Sequence, residues 1–149
     1  MEGQEKISGG EKVYFSLGSN SGDRMGNIQK ALRLMDAELG AARERLSSII
    51  ETPSWGFDGA PFLNCAAMYR LRAEPEEVLR ICKGIERRLG RTGGPEYDDC
   101  GRRVYRDRPI DIDILYYGAR HISTPSLTVP HPLIEQRDFV KIPLYEILD

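Results

Sequence analysis

Asp111 and Asp113 stand two positions apart in RPIDIDILYYG, the segment from Arg108 to Gly118, whose other residues are largely those of a buried strand. Side chains alternate across a strand with period two, so Ile110, Ile112 and Ile114 share one face and both carboxylates share the other. Like charges this close raise one another's pKa unless a cation sits between them. The cation that suits such a pair is Mg2+, which takes one or two carboxylates and completes its octahedron with water and phosphate oxygens. On spacing alone, the competing reading is an exposed sheet face whose charges discourage aggregation.

The basic residues point the same way. Arg87, Arg88, Arg91, Arg102, Arg103, Arg106 and Arg108 all fall between positions 87 and 108, in a chain of formal net charge −2. Guanidinium forks match phosphate oxygens, so a local cluster in a slightly acidic protein fits a polyanion of limited size, such as a nucleotide. A solvated basic face is the alternative. Glu86, just before these arginines, is poorly placed for the helix dipole and taken alone reads as a surface charge paired with Arg87 or Arg88. His131, between two prolines, taken alone reads as a turn residue. The chain has neither GxxxxGK[ST] nor the kinase Gly-rich loop, so a nucleotide site here uses another architecture.

Positioning these residues falls to a short series of elements. Residues 1–11 form a polar tail, expected to be flexible, and residues 12–149 a single domain. Val13 to Leu17 reads as a buried strand, broken by GSNSGD. Gly18 would permit a tight exit from it, and Asn20 would bond local backbone. Met25, Ile28, Leu32, Met35 and Leu39 form a helical stripe stopped by Gly40. Arg45 to Thr52 is a second strand and PSWGFDGAP a loop. Phe62 to Arg72 is a third strand, with Leu63, Cys65, Ala67, Tyr69 and Leu71 on one face and Phe62, Asn64, Ala66 and Met68 on the other. Pro75 opens a second helix that buries Val78, Cys82, Ile85 and Leu89. Residues 92–107 show no periodicity and read as a lid, a binding loop or a disordered segment. The aspartate strand follows, then a hairpin around Arg120 to Val129 and a last segment, VPHPLIEQRDFVKIPLYEIL. The order β-α-β-β-α-β predicts an α+β fold of ferredoxin-like type, an antiparallel sheet with both helices on one face.

Composition narrows the class. At 149 residues, 40% hydrophobic and 30% charged, the chain has the size of one domain with a real core. Its three cysteines, Cys65, Cys82 and Cys100, form no CxxC, and its two histidines are His121 and His131, so a structural zinc site is not expected. An odd thiol count fits a reducing compartment. MEGQEKISGGEK lacks the apolar core of a signal peptide, and no apolar run approaches the ~18 residues that span a bilayer. The expectation is a cytoplasmic protein with neither a membrane nor a nucleic-acid partner.

Five segments, SLGSNSGDR, ETPSWG with PFLN, IERRLGR, RPIDIDIL and VPHPLIEQRDFV, occur in an order and spacing that resembles the 6-hydroxymethyl-7,8-dihydropterin pyrophosphokinases of folate synthesis, from Val13 to Leu148. The resemblance implies transfer of pyrophosphate from ATP to the pterin hydroxymethyl group, with release of AMP. It assigns Asp111 and Asp113 to two Mg2+ ions on the triphosphate, and Arg91 and Arg108 to catalysis. It assigns Glu86, Arg91, Arg108, Ile114 (against the adenine), Thr128, His131 and Arg137 to ATP. To the pterin it assigns Phe62 and Phe139 as aromatic walls, Asn64 at the ring edge, and the region of Thr52, Pro53 and Trp55. Without it, Phe62 and Phe139 read as ordinary core. Stand-alone members are commonly monomers.

The chain departs from the family pattern at Gly93, where a second arginine is usual. Arg102, Arg103 or Arg106 in the longer following loop is expected to replace that charge, as a lid closing over ATP, and Tyr105 loosely matches a tryptophan that closes over the pterin. An RNA-recognition module shares the element order. However, the strands Val13 to Leu17 and Phe62 to Arg72 lack its RNP1 pattern, and the aspartates would repel a phosphate backbone.

Overall fold

The computed structural model describes residues 10–54, 59–90, 96–97, 99–101, 103–104 and 107–148, the pieces 96–97 and 103–104 by main chain only. Its strands are β1 (Glu11–Ser19), β2 (Arg45–Leu46), β3 (Ile50–Thr52), β4 (Phe62–Leu71), β5 (Glu96–Tyr97), β6 (Arg103–Val104), β7 (Asp111–Tyr117), β8 (Ile122–Ser123) and β9 (Thr128–Val129). Its helices are α1 (Arg24–Leu39), α2 (Pro75–Arg88) and α3 (Asp138–Ile147). The fold is α+β. The main sheet is antiparallel in the order β2-β4-β1-β7, with β3 also paired to β4. Among the described residues no helix is long and apolar enough to cross a membrane.

Odd positions of β1 and β4, Ile110 and the isoleucines of β7 build the larger core. Val13, Phe15, Leu17, Cys65, Ala67, Tyr69, Ile110, Ile112 and Ile114 pack with Ile28, Leu32 and Met35 of α1 and Val78, Cys82 and Ile85 of α2. The local signals act as expected. Asp23 caps α1 by accepting from the Gly26 N–H at 3.1 Å. Gly40 ends that helix at φ +70°, a left-handed conformation glycine adopts freely. Pro75 stands at the start of α2, where no intrahelical N–H is needed.

Four expectations need correction. First, β1 opens at Glu11, inside the stretch read as tail: it pairs with Leu71, and its carboxylate meets the Arg120 guanidinium at 2.6 Å. Second, Arg45 to Thr52 is not one strand. Leu46 opposes Ala67 and Ile50 opposes Asn64, so four steps on one side match three on the other. Ser47 makes this bulge possible: its N–H donates to the Ala66 carbonyl at 2.9 Å, and its Oγ accepts from the Ala66 N–H at 2.8 Å. Third, part of residues 92–107 forms a two-stranded hairpin, β5 with β6. Fourth, α1 and α2 share one face as expected, but a third helix covers the other. Val140, Pro143, Leu144 and Ile147 of α3 follow helical spacing and are buried with Tyr14, Ala66, Met68 and Leu115 on the opposite face. Pro143 inside α3 masks that pattern in the sequence.

β7 carries an irregularity of its own. Tyr14 opposes Tyr116 while Phe15 opposes Ile114, which leaves Leu115 as an extra residue. The bulge reverses parity: Ile112 and Ile114 face α1 and α2, whereas Leu115 turns to α3 and Tyr117 returns to the larger core. Asp111 and Asp113 precede it and keep the alternation their spacing predicts.

Ser47 generates a first test. Ser47→Ala leaves the Ala66 N–H without its hydroxyl acceptor in a buried setting, which costs about 1–3 kcal/mol. Urea denaturation should show a lower midpoint at an unchanged slope. An unchanged midpoint would mean that the hydroxyl contributes nothing to the bulge.

Candidate active site

The α3 side of the sheet has a covered end and an end that α3 does not fill. In that second end Gly18 of β1 opposes Asp111 and Ser16 opposes Asp113, so both carboxylates rise beside residues with little or no side chain. Gly18 opposes Asn64 on its other side. A Cβ added at Gly18 would lie 2.8 Å from Asn64 Oδ1 and 3.3 Å from the Phe62 ring. Gly18 is therefore not the turn glycine the sequence suggests: it lies within the strand, and close approach demands its small size. Asn64, 2% exposed, donates from Nδ2 to Thr52 Oγ1 at 2.7 Å, which orients its amide. Phe62 is half-buried on the same face.

The charges around the aspartates are closely set. Arg108 Nη1 lies 3.7 Å from Asp111 Oδ1. Behind the strand, Glu86 is only 3% exposed and its Oε2 accepts the Ile112 N–H at 2.8 Å. This corrects the surface-charge reading of Glu86. It lies four residues beyond Cys82 on the buried stripe of α2, where it satisfies a main-chain donor of β7. Lys83 Nζ is 3.8 Å from the other oxygen. Asp113 is half-buried by area, yet the protein crowds its carboxyl. Desolvation, then the charges of Asp111 and Glu86, push its pKa from 3.8 up to about 7, against the opposing pull of Arg137 and Lys83. His131 is held below its ordinary pKa by burial and by Arg137, so it is neutral near pH 7. Its Nδ1 accepts the Leu133 N–H at 3.2 Å, which leaves the ring proton on Nε2, and its own N–H bonds the Leu115 carbonyl in the β7 bulge at 3.0 Å.

The donor set fits a hard cation. Asp111 and Asp113 offer only carboxylate oxygens, and the strain in Asp113 is what a nearby positive ion would relieve. Among the described residues no group of three His, Cys, Asp or Glu side chains is disposed to hold an ion. A cation here would draw its remaining ligands from water and substrate oxygens, as Mg2+ does.

A sequence profile of the 7,8-dihydro-6-hydroxymethylpterin-pyrophosphokinase family matches residues 14–149. The chain belongs to this family. It is similar to the 2-amino-4-hydroxy-6-hydroxymethyldihydropteridine pyrophosphokinase of Porphyromonas gingivalis, with 42% identity over 91% of this chain and 89% of that protein. It also resembles the enzyme of that name from Aquifex aeolicus, at 39% identity over 91% of this chain and 79% of the other. The mitochondrial folate synthesis bifunctional protein of Pisum sativum is 41% identical over 93% of this chain, a match that spans 25% of the pea protein.

Most of the residues that the resemblance selects lie around this end of the sheet. Thr52 opposes Phe62 across β3 and β4, and Pro53 follows, exposed. Phe139, in the first turn of α3, is half-buried, with the Arg137 guanidinium 5.7 Å from its ring. Thr128 is exposed on β9. Ile114 differs: 3% exposed in the core under α1 and α2, it could meet an adenine through its main chain but not its side chain. Trp55, Arg91, Gly93, Arg102, Tyr105 and Arg106 lie outside the described residues, as does the side chain of Arg103. Gly18 and Ser16, which form the floor, were not singled out as site residues; their signal was the loss of bulk along alternate positions of β1.

The raised pKa of Asp113 makes a signed prediction. The folded state holds this proton more tightly than the unfolded chain. The resulting stability is fully present below pH ~4 and lost as pH rises through about 7. In chelator at pH 8, Asp113→Asn should therefore raise the thermal midpoint by roughly 3–5 °C, on the order of 1 kcal/mol, with the gain shrinking toward pH 5. A lower midpoint at pH 8 would contradict the assigned environment.

Proposed function

We propose that the protein transfers pyrophosphate from ATP to 6-hydroxymethyl-7,8-dihydropterin, giving AMP and the pterin diphosphate, in folate biosynthesis. The observation that carries this is the shared strand face: two carboxylates stand across a glycine floor from an amide and an aromatic ring. Membership of the pyrophosphokinase family supplies the reaction class.

In this reading Asp111 and Asp113 would hold the two Mg2+ ions, which would supply charge neutralisation and Lewis-acid activation for pyrophosphoryl transfer. Arg108, with Arg91, contacts phosphate oxygens, and their fork geometry fixes the direction of the chain of phosphates. Arg137, Thr128, neutral His131, Glu86 and the main chain at Ile114 complete the nucleotide site. One of Arg102, Arg103 and Arg106 replaces the charge absent at Gly93. Phe62 and Phe139 stack on the pterin, Asn64 offers donor and acceptor to its edge, and Thr52 holds that amide in register. Pro53 and Trp55 border the same edge. The hydroxymethyl oxygen attacks the β-phosphorus and the α–β bridging oxygen leaves with AMP. The hydroxyl proton departs to water or a phosphate oxygen, since both aspartates are committed to the cations. Catalysis is thus mainly positioning and charge neutralisation.

The same reading takes the sheet as ferredoxin-like, supported by its strand order and by α1 and α2 each linking strands that are not neighbours. It takes the protein as a monomer, and as cytoplasmic in keeping with the buried, unbridged thiols of Cys65 and Cys82.

The deciding assay mixes ATP, Mg2+ and the hydroxymethyl-dihydropterin and separates the nucleotides. AMP should form in step with pterin diphosphate, whereas ADP would replace the assignment with ordinary kinase chemistry. Asp111→Asn should lower kcat roughly a thousandfold or more while the protein stays folded; near-full activity would remove its metal role. Gly18→Ala should raise the pterin KM by about tenfold through displacement of Asn64 and Phe62, with little change in nucleotide binding. An unaltered pterin KM would place the ring elsewhere.

A further inference from the structure

Asn20 follows β1 directly and is 3% exposed. Every polar atom of its side chain is engaged with a distant segment. Oδ1 accepts the Arg108 N–H at 2.6 Å, while Nδ2 donates to Asp107 Oδ1 at 2.7 Å and to the Ala60 carbonyl at 2.9 Å. Its own N–H donates to the Arg108 carbonyl at 3.0 Å. Asp107 Oδ1 also accepts the Ala60 N–H at 3.3 Å. One side chain thus joins the exit of β1, the segment entering β4 and the segment entering β7.

The need for it is local. The ladder between β1 and β7 ends at Gly18 and Asp111, and Pro109 has no N–H with which to extend it. Asn20 bonds Arg108 from both main chain and side chain and carries the pairing past the proline. What it fixes is consequential: Arg108 has its guanidinium 3.7 Å from Asp111, and Ala60 precedes Phe62 by two residues.

We propose that Asn20 and Asp107 form a positioning clasp. It holds Arg108 beside the aspartates in register with the Phe62 end of the opposite strand, so that the two substrates meet in line. This rests on the function proposed above. Neither residue touches substrate; both act through Arg108, and their bonds to Ala60 anchor it to the entry of β4. A displacement of ~1 Å between reacting groups costs on the order of a hundredfold in rate, so the effect should fall on kcat more than on either KM.

The test is a set of variants assayed as the full chain at saturating ATP and pterin. Asn20→Ala should lower kcat about a hundredfold. Asp107→Ala, at an exposed position that folding tolerates, should lower it about tenfold. Each KM should change less than threefold. Asp107→Asn keeps the accepting oxygen and should recover most of the loss. The decisive comparison repeats Asp107→Ala and Asn20→Ala in an Arg108→Ala background. If the clasp works through the arginine, the added loss should shrink to within about threefold. Hydrogen exchange without substrate should be faster at the Arg108 and Ala60 amides in Asn20→Ala. Full losses persisting without the arginine, or wild-type kcat in Asp107→Ala, would overturn the clasp while leaving the activity intact. Absence of AMP from the wild-type protein would instead reject the function on which it rests.

Discussion

Three carboxylates, Asp111, Asp113 and Glu86, meet around one strand, and the rest of the site is organised by the need to tolerate them. Burial, together with the charges of Asp111 and Glu86, pushes the Asp113 carboxyl toward its neutral form. The fold supplies partial relief: Arg108 beside Asp111, Arg137 and Lys83 toward Asp113, and a main-chain N–H on Glu86. The balance stops short, and Asp113 keeps a pKa of about 7. A site left short of positive charge binds a cation where it can relieve that shortage. A cation held by Asp111 and Asp113, as the proposed function requires, would supply that charge.

The sheet can carry this burden because its two faces do different work. The α1 and α2 side holds the larger core and most of the apolar burial. The other face grades along β1 from Tyr14 through Ser16 to Gly18. At the large end Tyr14 packs with Ala66, Met68 and Leu115 under α3. At the small end nothing projects from β1, and the carboxylates, Asn64 and Phe62 rise around a bare main chain. Side-chain volume along one strand therefore decides where the face is core and where it is cleft.

What the sequence disclosed follows from the range of the signal. Alternation within a strand is local, so the shared face of Asp111 and Asp113, and that of Phe62 and Asn64, could be read directly. Helix stripes, caps and terminal glycines are equally local, and α1 and α2 stand where their patterns indicate. Features that depend on a partner strand were not legible. The extra residue at Leu115 exists only relative to Tyr14 and Phe15, and Ser47 reveals its bulge only against Ala66. Asn20 looked like a turn residue because its partners lie 40 to 88 positions away. Glu86 and α3 were readable in principle. Glu86 lies on the apolar stripe of α2, and α3 keeps its helical spacing through Pro143, but a charge and a proline each outweighed the periodicity.

The outer edge of β7 shows why some residues of this site resist a single label. On one side β7 pairs with β1; on the other, donors and acceptors need cover that no strand of the main sheet gives. Glu86 from α2 takes the Ile112 N–H, and the main chain of His131 donates to the Leu115 carbonyl. Residues that the family resemblance assigns to the nucleotide are thus also the cover of the strand that bears the aspartates. Loss of Glu86 would remove a possible substrate contact, uncap Ile112 and relieve the field on Asp113 together, so a fall in activity at that position cannot be read as a lost substrate contact. Asp111 and Asp113 point away from that edge, which is why their roles can be separated by substitution when those of Glu86 cannot.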